Sequence, residues 1–252
     1  MPVLLALDFE ATGVDTANDN VTEVGAILYS TGLKRPLESS SYLVKTNLTI
    51  TPKITELTGI VAPALDKFGY ESEDALNALL SMMDRCDYVI GQNVVRFDKR
   101  LAETWAASFN KKFPEKLWID TRTDIPGVTG ATLALMAANA EDPKTHNKIG
   151  FVNLFPHSAL SDCQTVLKLI EPHDIEAIIE RAKSPVVVLR AHVSYETNAL
   201  AKARKYSAYY LNGKFQFWWK IVKQIDLPAE TGHGEFDVDF VTDVAPETLM
   251  YQ

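Results

Sequence analysis

Two cysteines, Cys86 and Cys163, are all that the 252 residues contain. That is too few for a disulfide framework, and their spacing is not that of zinc ligands, so they read as packing thiols and redox chemistry is not indicated. No apolar run approaches the length needed to span a bilayer. The opening MPVLLALDFE lacks the basic start and small-residue cleavage site of a secretion signal, so the expected compartment is the cytoplasm and no membrane is expected as a partner. No internal repeat is visible. His146, His173, His192 and His233 have no metal-ligand company and read as structural or exposed.

Basic residues are scarce relative to acids except in one block. The net charge is -8, but residues 1–180 carry 25 acids against 16 Lys and Arg, and residues 224–252 carry seven acids and no base. Between them, residues 181–223 hold nine cations against Glu196 alone. An acidic part followed by a basic block points to phosphates as the block's partner. In bulk the chain is ordinary, with 46% hydrophobic and 23% charged residues, and it is long enough for one substantial core and a small appendage.

Three segments carry the chemistry. In LDFEATG (7–13), Asp8 and Glu10 end the apolar run VLLALDFE, which reads as a buried strand; two positions apart, their carboxylates project to one face and suit a hard cation. NVVRFD (93–98) places Asp98 in an expected helix. HSALSD (157–162) places Asp162 five residues after His157, near the start of another. Four carboxylates and an imidazole from separate elements are the material for metal-dependent phosphodiester hydrolysis, in which two Mg²⁺ or Mn²⁺ ions about 3.5–4 Å apart neutralise charge and activate water.

The order and spacing of these motifs resemble the DEDDh (DnaQ-like) family of 3′→5′ exonucleases, which includes the proofreading subunit of bacterial DNA polymerase III. The resemblance covers roughly the first three quarters of the chain, and the combination of one such domain with a short C-terminal module resembles phage-encoded exonucleases. It implies that Asp8 bridges two metals, that Glu10 and Asp162 complete the site of the metal holding the attacking water, that Asp98 acts through bound water, and that His157 is the general base. It also implies that Thr12 and Gly13 approach the terminal nucleotide and that Leu57, Thr58 and Ile60 of ITELTGI wedge against its base. Asn93 is then expected near the penultimate sugar and Phe97 beneath the site. Read from the residues alone, Asn93 is equally a helix cap and Phe97 equally core. Glu23, in VTEVGAIL, either orients Glu10 or pairs with a base and stays outside the catalytic set. Ala159 is small enough to leave space for substrate or for a neighbouring strand.

The expected fold class is α/β. VLLALD, VTEVGAILYS and SSSYLVKT read as an antiparallel meander, and SEDALNALLSMMDR as a helix with Ser72 as its cap. YVIGQN and LWIDT, separated by the helix VVRFDKRLAETWAAS, are expected as parallel additions to the sheet, and SALSDCQTVLKLIE as a last long helix. The family resemblance implies the same ribonuclease-H-like mixed sheet flanked by helices. The stretch Thr123–Pro156, interrupted by Gly127, Gly130 and Pro143, is expected to be a loop-rich approach to the site.

Residues 1–183 are thus expected as the exonuclease domain, 184–227 as a basic aromatic accessory module and 228–252 as an acidic tail. The module reads as βαββ, with a helix after a Ser194 cap and a hairpin around Asn212-Gly213. In KFQFWWK, Phe215, Phe217 and Trp219 alternate with Lys214, Gln216, Trp218 and Lys220. The second set reads either as a platform on which Lys214, Trp218 and Lys220 meet nucleic acid or as the solvated face of a tiny core. The tail reads as a disordered segment or as a strand that binds a polymerase or replication protein. The expected activity is removal of nucleoside monophosphates from 3′ ends of single-stranded DNA, with little sequence preference and a role in DNA replication or repair. RNA trimming is the nearest alternative, and a nucleic-acid-binding or polymerase-associated subunit is a second class.

Overall fold

Alternation within the first strand decides which groups reach the core and which reach the site. In β1 (Val3–Ala11), Leu5, Leu7 and Phe9 face one way and Leu4, Ala6, Asp8 and Glu10 the other. The odd set joins β2 (Val21–Ser30) and two helices in one core containing Val24, Leu76, Leu79, Met83, Leu101 and Trp105. Leu4 and Ala6 join Ile27, Ile90, Ile119, Met136, Val166 and Ile170 in the other. Each fully buried Leu or Ile contributes about 1.5–3 kcal/mol, so both faces of this sheet are strongly held.

The computed structural model describes residues 1–125 and 132–244. By contacts it divides into two units, Met1–Ala182 and Lys183–Gln252. In the first, β1, β2 and β3 (Arg35–Leu43) form an antiparallel meander, followed by α1 (Pro52–Thr58), α2 (Ala62–Phe68) and α3 (Ser72–Met83). Next come β4 (Tyr88–Gly91), α4 (Asp98–Ser108), β5 (Leu117–Asp120), α5 (Thr121–Asp124), α6 (Leu133–Asn139), α7 (Ala159–Ile170) and α8 (Ile175–Lys183). β4 pairs parallel to β1 and β5 parallel to β4, giving a mixed sheet in the order β3-β2-β1-β4-β5. This is the ribonuclease-H-like arrangement of a mixed five-stranded sheet flanked by helices.

Several local readings change. Ser72 is the first helical residue of α3 and not its cap; its Oγ accepts a hydrogen bond from Trp105 Nε1 at 2.8 Å, joining α3 to α4. The helix expected from Val94 begins at Asp98, because Asn93 adopts a left-handed φ of 58° that starts a tight turn instead. The stretch expected to be loop-rich contains α6, capped by Thr132, whose hydroxyl accepts from Leu135 N at 3.3 Å; Gly127 and Gly130 lie outside the described residues. Leu133, Met136 and Ala137 are its buried face, a helical period too brief to register between glycines and a proline.

One close approach sets the position of α7. A Cβ on Gly25 would overlap the backbone of Ala159 and Leu160, so the start of α7 lies directly on β2. Ala159 is fully buried there, and its small side chain makes room for a neighbouring strand. The Cys163 thiol one turn on donates to Gly25 O at 3.2 Å. Both cysteines are buried and free. Among the described residues no helix is long and apolar enough to cross a membrane.

The second unit comprises β6 (Val186–His192), α9 (Asn198–Ala203), β7 (Ser207–Leu211), β8 (Lys214–Lys223), α10 (Leu227–Thr231) and β9 (Asp237–Phe240). Its sheet is antiparallel, in the order β7-β8-β6-β9. Asn212 and Gly213, with φ of 50° and 74°, form the two-residue turn between β7 and β8. The segment expected as a separate acidic tail is, as far as Val244, built into this sheet; residues 245–252 lie outside the described residues. β9 pairs with β6, Asp243 binds Arg190 at 2.8 Å and Asp239 binds His192 at 3.1 Å. The basic block and the acidic segment thus make contacts with each other within one unit.

The expected platform changes accordingly. Lys220 Nζ lies 2.6 Å from Glu230 Oε2 and 5.5 Å from the Tyr206 ring, so its charge is turned inward. Trp218 packs against the cluster of Leu189, Ala191, Ala201, Tyr206 and Val222, with Lys202 over its ring. Lys214 alone of the three is exposed, at the hairpin beside Tyr210 and Phe215. Alternation identified two faces of β8 but gave no sign that both are covered.

Two outcomes follow from this packing. Gly25→Ala is expected to lower the stability of the first unit by about 1–3 kcal/mol through overpacking against α7, read as a lower denaturant midpoint. Glu230→Ala leaves Lys220 and Arg204 short of their shared counter-charge. It is expected to lower stability by about 1–3 kcal/mol in the same measurement; an unchanged midpoint would show that this ion pair is structurally idle.

Candidate active site

The carboxyl ends of β1, β4 and β5 open onto a cleft of about 600 Å³. Its lining includes Asp8, Glu10, Asn93, Phe97, Asp98, Arg122, Asn153, His157 and Asp162. Asp8 and Glu10 lie on the β1 face that looks toward α7, as their spacing dictates. Asp98 is the first residue of α4, where a carboxylate is favoured by the exposed backbone N–H groups. Its Oδ1 accepts a hydrogen bond from Phe9 N at 2.9 Å, which ties the helix start to the middle of the acidic strand segment. Asp162 lies in the first turn of α7, and an oxygen or ring nitrogen from each of Glu10, His157 and Asp162 falls within 4.8 Å of the others.

Electrostatics marks this cluster. Burial, reinforced by Asp98, Asp162, Glu10 and Glu23, raises the Asp8 pKa well above the usual carboxylate range. Glu10 is pushed up to about 8, first by burial and then by Asp162, Glu23 and Asp98. Asp98 also rises to about 8, burial outweighing the hydrogen bond from Phe9 N. In Asp162 burial again dominates, opposed by hydrogen bonds from Asn153 and the His157 backbone. Mutually repelling carboxylates that resist ionisation together fit a hard divalent cation, whose charge supplies the missing counter-ion.

His157 is exposed, has a left-handed φ of 61°, and its N–H donates to Asp162 Oδ2 at 3.3 Å. The imidazole therefore stands at the cleft mouth on a turn anchored by the acid it accompanies. Glu23 sits behind Glu10, its cross-strand partner in the sheet, and accepts from Ala159 N at 3.4 Å and Ser41 Oγ at 3.5 Å. It fastens the start of α7 to β2, and its charge adds to the repulsion on Glu10.

Of the expected substrate contacts, Asn93 and Phe97 line the cleft and the other five are not among its lining residues. The Thr12 hydroxyl donates to Asp19 Oδ1 at 2.7 Å and accepts from Asn20 N at 3.0 Å, so it is committed to the loop between β1 and β2. Gly13 lies against the Asp19 carboxylate, where a Cβ would clash. The Thr58 hydroxyl is bonded to Ile54 O, Ile60 is buried, and Leu57 is exposed on α1. Phe97 also packs on the first core.

Sequence reasoning missed three residues here. Asn153 donates from Nδ2 to Asp162 Oδ1, and its own Oδ1 accepts from Ser161 Oγ at 2.5 Å and Phe155 N at 3.0 Å. Asp120 is buried, and its Oδ1 accepts from Asn93 N and Arg122 N, both at 3.0 Å. Arg122 projects into the cleft lining. A lone Asn in an unreadable stretch carried no signal. Asp120 had one: an acid ending an apolar run, as Asp8 nearly does.

Comparisons with known proteins bear on the family and the fold. A family model described as RNase_T, exonuclease, matches residues 5–170, from β1 to the last residue of α7. A PolC-type DNA polymerase III from Thermotoga maritima is 29% identical over 117 residues, which are 46% of this chain and 8% of that protein. Exonuclease I from Methylocaldum szegediense superposes with a TM-score of 0.56 at 15% identity, covering 77% of this chain and 49% of the other. E. coli Exonuclease I in complex with a 5cy-dA13 oligonucleotide gives 0.57 at 14% identity, covering 98% and 66%. The chain thus spans a small part of the polymerase and about half of the first of these exonucleases, and the structural likeness at such identities is one of fold. The matched span contains every one of the five clustered acid and imidazole groups, and the chain belongs to the RNase_T exonuclease family, the DEDDh 3′→5′ exonucleases.

Proposed function

We propose that this protein is a metal-dependent 3′→5′ exonuclease that releases nucleoside monophosphates from single-stranded DNA. The observation that supports it most is the convergence of Asp8, Glu10, Asp98, His157 and Asp162, from three distant segments, in one open cleft. Asp8, Glu10, Asp98 and Asp162 would hold two Mg²⁺ or Mn²⁺ ions. Such ions acidify a bound water and neutralise the charge that builds on the phosphate and the departing 3′ oxygen.

The chain's own groups do the rest. His157, at the cleft mouth, accepts the proton of the attacking water as general base. Asp162 holds the His157 backbone and so sets the distance between base and acidic cluster. Asn153 keeps Asp162 oriented. Phe97 and Asn93 border the space left for the nucleotide. At the hairpin of the second unit, exposed Tyr210, Phe215 and Lys214 offer a base-stacking and phosphate surface in place of the inward-turned Trp218 and Lys220. None of these contacts reads a base edge, which is why little sequence preference is expected.

The test is digestion of 5′-labelled single-stranded DNA and matched RNA, with Mg²⁺ or EDTA. A ladder shortening from the 3′ end in Mg²⁺ alone is expected, lost in Asp8→Ala and reduced at least 100-fold in His157→Ala. Full activity of purified Asp8→Ala would refute the metal assignment, and faster loss of RNA would name the other polymer as substrate.

The raised carboxyl groups also fix the sign of a pH effect. Glu10 and Asp98, at about 8 in the folded protein, keep protons that the unfolded chain releases near its ordinary carboxylate values. Their contribution to stability is therefore present at acid pH and lost as pH rises through about 8. The melting temperature of EDTA-treated protein is expected to fall between pH 5 and roughly 8 relative to Asp98→Asn. Added Mg²⁺ or Mn²⁺ is expected to restore it, with protons released on binding. A melting temperature that rises over this range without metal would overturn the assignment of these two groups.

A further inference from the structure

Among the described residues lining the cleft, Arg122 carries the only guanidinium or ammonium group, facing four carboxylates. It is not left to wave in solvent. Its backbone N–H is held by buried Asp120, whose same Oδ1 holds Asn93 N, and the Asp120 backbone N–H is in turn held by Asp124 Oδ2 at 2.8 Å. The side chain then reaches across: Arg122 Nη1 donates to Asn93 Oδ1 at 3.3 Å. One buried carboxylate thus aligns two residues from different segments, Arg122 in α5 and Asn93 on a left-handed turn after β4.

We propose that Arg122 and Asn93 form a phosphate clamp for the strand in the cleft, with Asp120 as its positioning residue. With Oδ1 engaged by Arg122, the group Asn93 has left to offer is its NH₂, a donor; the guanidinium has donors only. A donor-only pair matches the oxygens of a phosphodiester, which only accept. A cleft lined by carboxylates repels a polyanion, and a fixed cation at its rim gives the backbone one favourable seat independent of base identity. The inference rests on the nuclease reading but concerns a different property, strand binding.

The test is fluorescence anisotropy of 5′-labelled oligo-dT with full-length protein, in Ca²⁺ to limit turnover, over a salt series. Arg122→Ala is expected to weaken binding roughly tenfold. It should also reduce the slope of log K against log salt by about 0.7, the share of one single-strand phosphate. Arg122→Lys should keep the slope and lose part of the affinity, since the charge stays and the fork is lost. A single neutral methylphosphonate walked along the oligomer should weaken wild type at one linkage and leave Arg122→Ala indifferent there. In Mg²⁺, the KM of Arg122→Ala should rise more than kcat falls. Wild-type binding with an Arg122→Ala variant of equal affinity, salt slope and methylphosphonate profile would overturn the clamp while leaving the exonuclease intact. Absence of any wild-type binding or hydrolysis of nucleic acid would instead overturn both.

Discussion

Repulsion among buried carboxylates is the constraint around which the first unit is arranged. Acids pulled from water beside one another oppose both ionisation and folding, so each must be held by something that does not yield. Asp8 and Glu10 are on β1, which has strand neighbours on both sides and a core against each face. Asp98 opens α4 and is bonded to the backbone of that same strand. Asp162 is in the first turn of α7, whose start presses on β2 at Gly25. The sheet, two helix starts and one glycine thus form a frame for charges that would otherwise separate, and mutual repulsion in such a frame favours a cation between them.

The second unit solves the opposite problem within itself. Eight of the nine cations of the basic block, and the acidic segment after it, look in sequence like one nucleic-acid surface and one free tail. Folded, Lys220 and Arg204 converge on Glu230, Arg190 on Asp243 and His192 on Asp239. Arg190 also stacks on Phe217, its centre 4.3 Å from the ring. A small unit with few fully buried side chains gains from such pairing, because partly buried ion pairs with several partners hold better than exposed ones. Part of the charge segmentation therefore serves the folded unit itself, which net charge counted along a sequence does not reveal.

What the sequence made legible follows from range. β1, β2, the parallel additions and the Asn212-Gly213 hairpin were readable because alternation and turn chemistry are properties of neighbours in the chain. The five clustered groups were readable because each sits in a compact motif whose order is distinctive. Ser72 was misread because its hydroxyl is claimed by a partner on another element, while the hydroxyls of Thr12 and Thr58, expected near the terminal nucleotide, are hydrogen-bonded within their own loop and helix. Ser72 takes the Trp105 indole from α4, and Thr12 takes Asp19 from the returning loop. The surroundings of Lys220 and Trp218 were hidden for a similar reason, since the second face of β8 is covered by elements that fold back from both sides of it in sequence. Asp120 and Asn153 hold other residues in place, and such roles have no motif of their own.

The two kinds of support in the cleft divide its work. The acids on β1 and at the start of α4 are fixed by buried hydrogen bonds and core packing, the least yielding part of the unit. His157 is exposed on a left-handed turn, between the irregular stretch that precedes it and α7. Its attachments to the frame run through Asp162, and Asp162 is held in turn by Asn153 from that irregular stretch. Regions with few buried contacts open more readily than cores. An imidazole exposed on such a turn is less firmly held than the acids, whereas one built into β1 would move only with the sheet. The coupling through Asp162 limits how far it can stray, because displacing His157 costs the bond that orients an acid. The cluster is thus held most firmly at Asp8, Glu10 and Asp98 and least firmly at His157, with Asp162 linking the two.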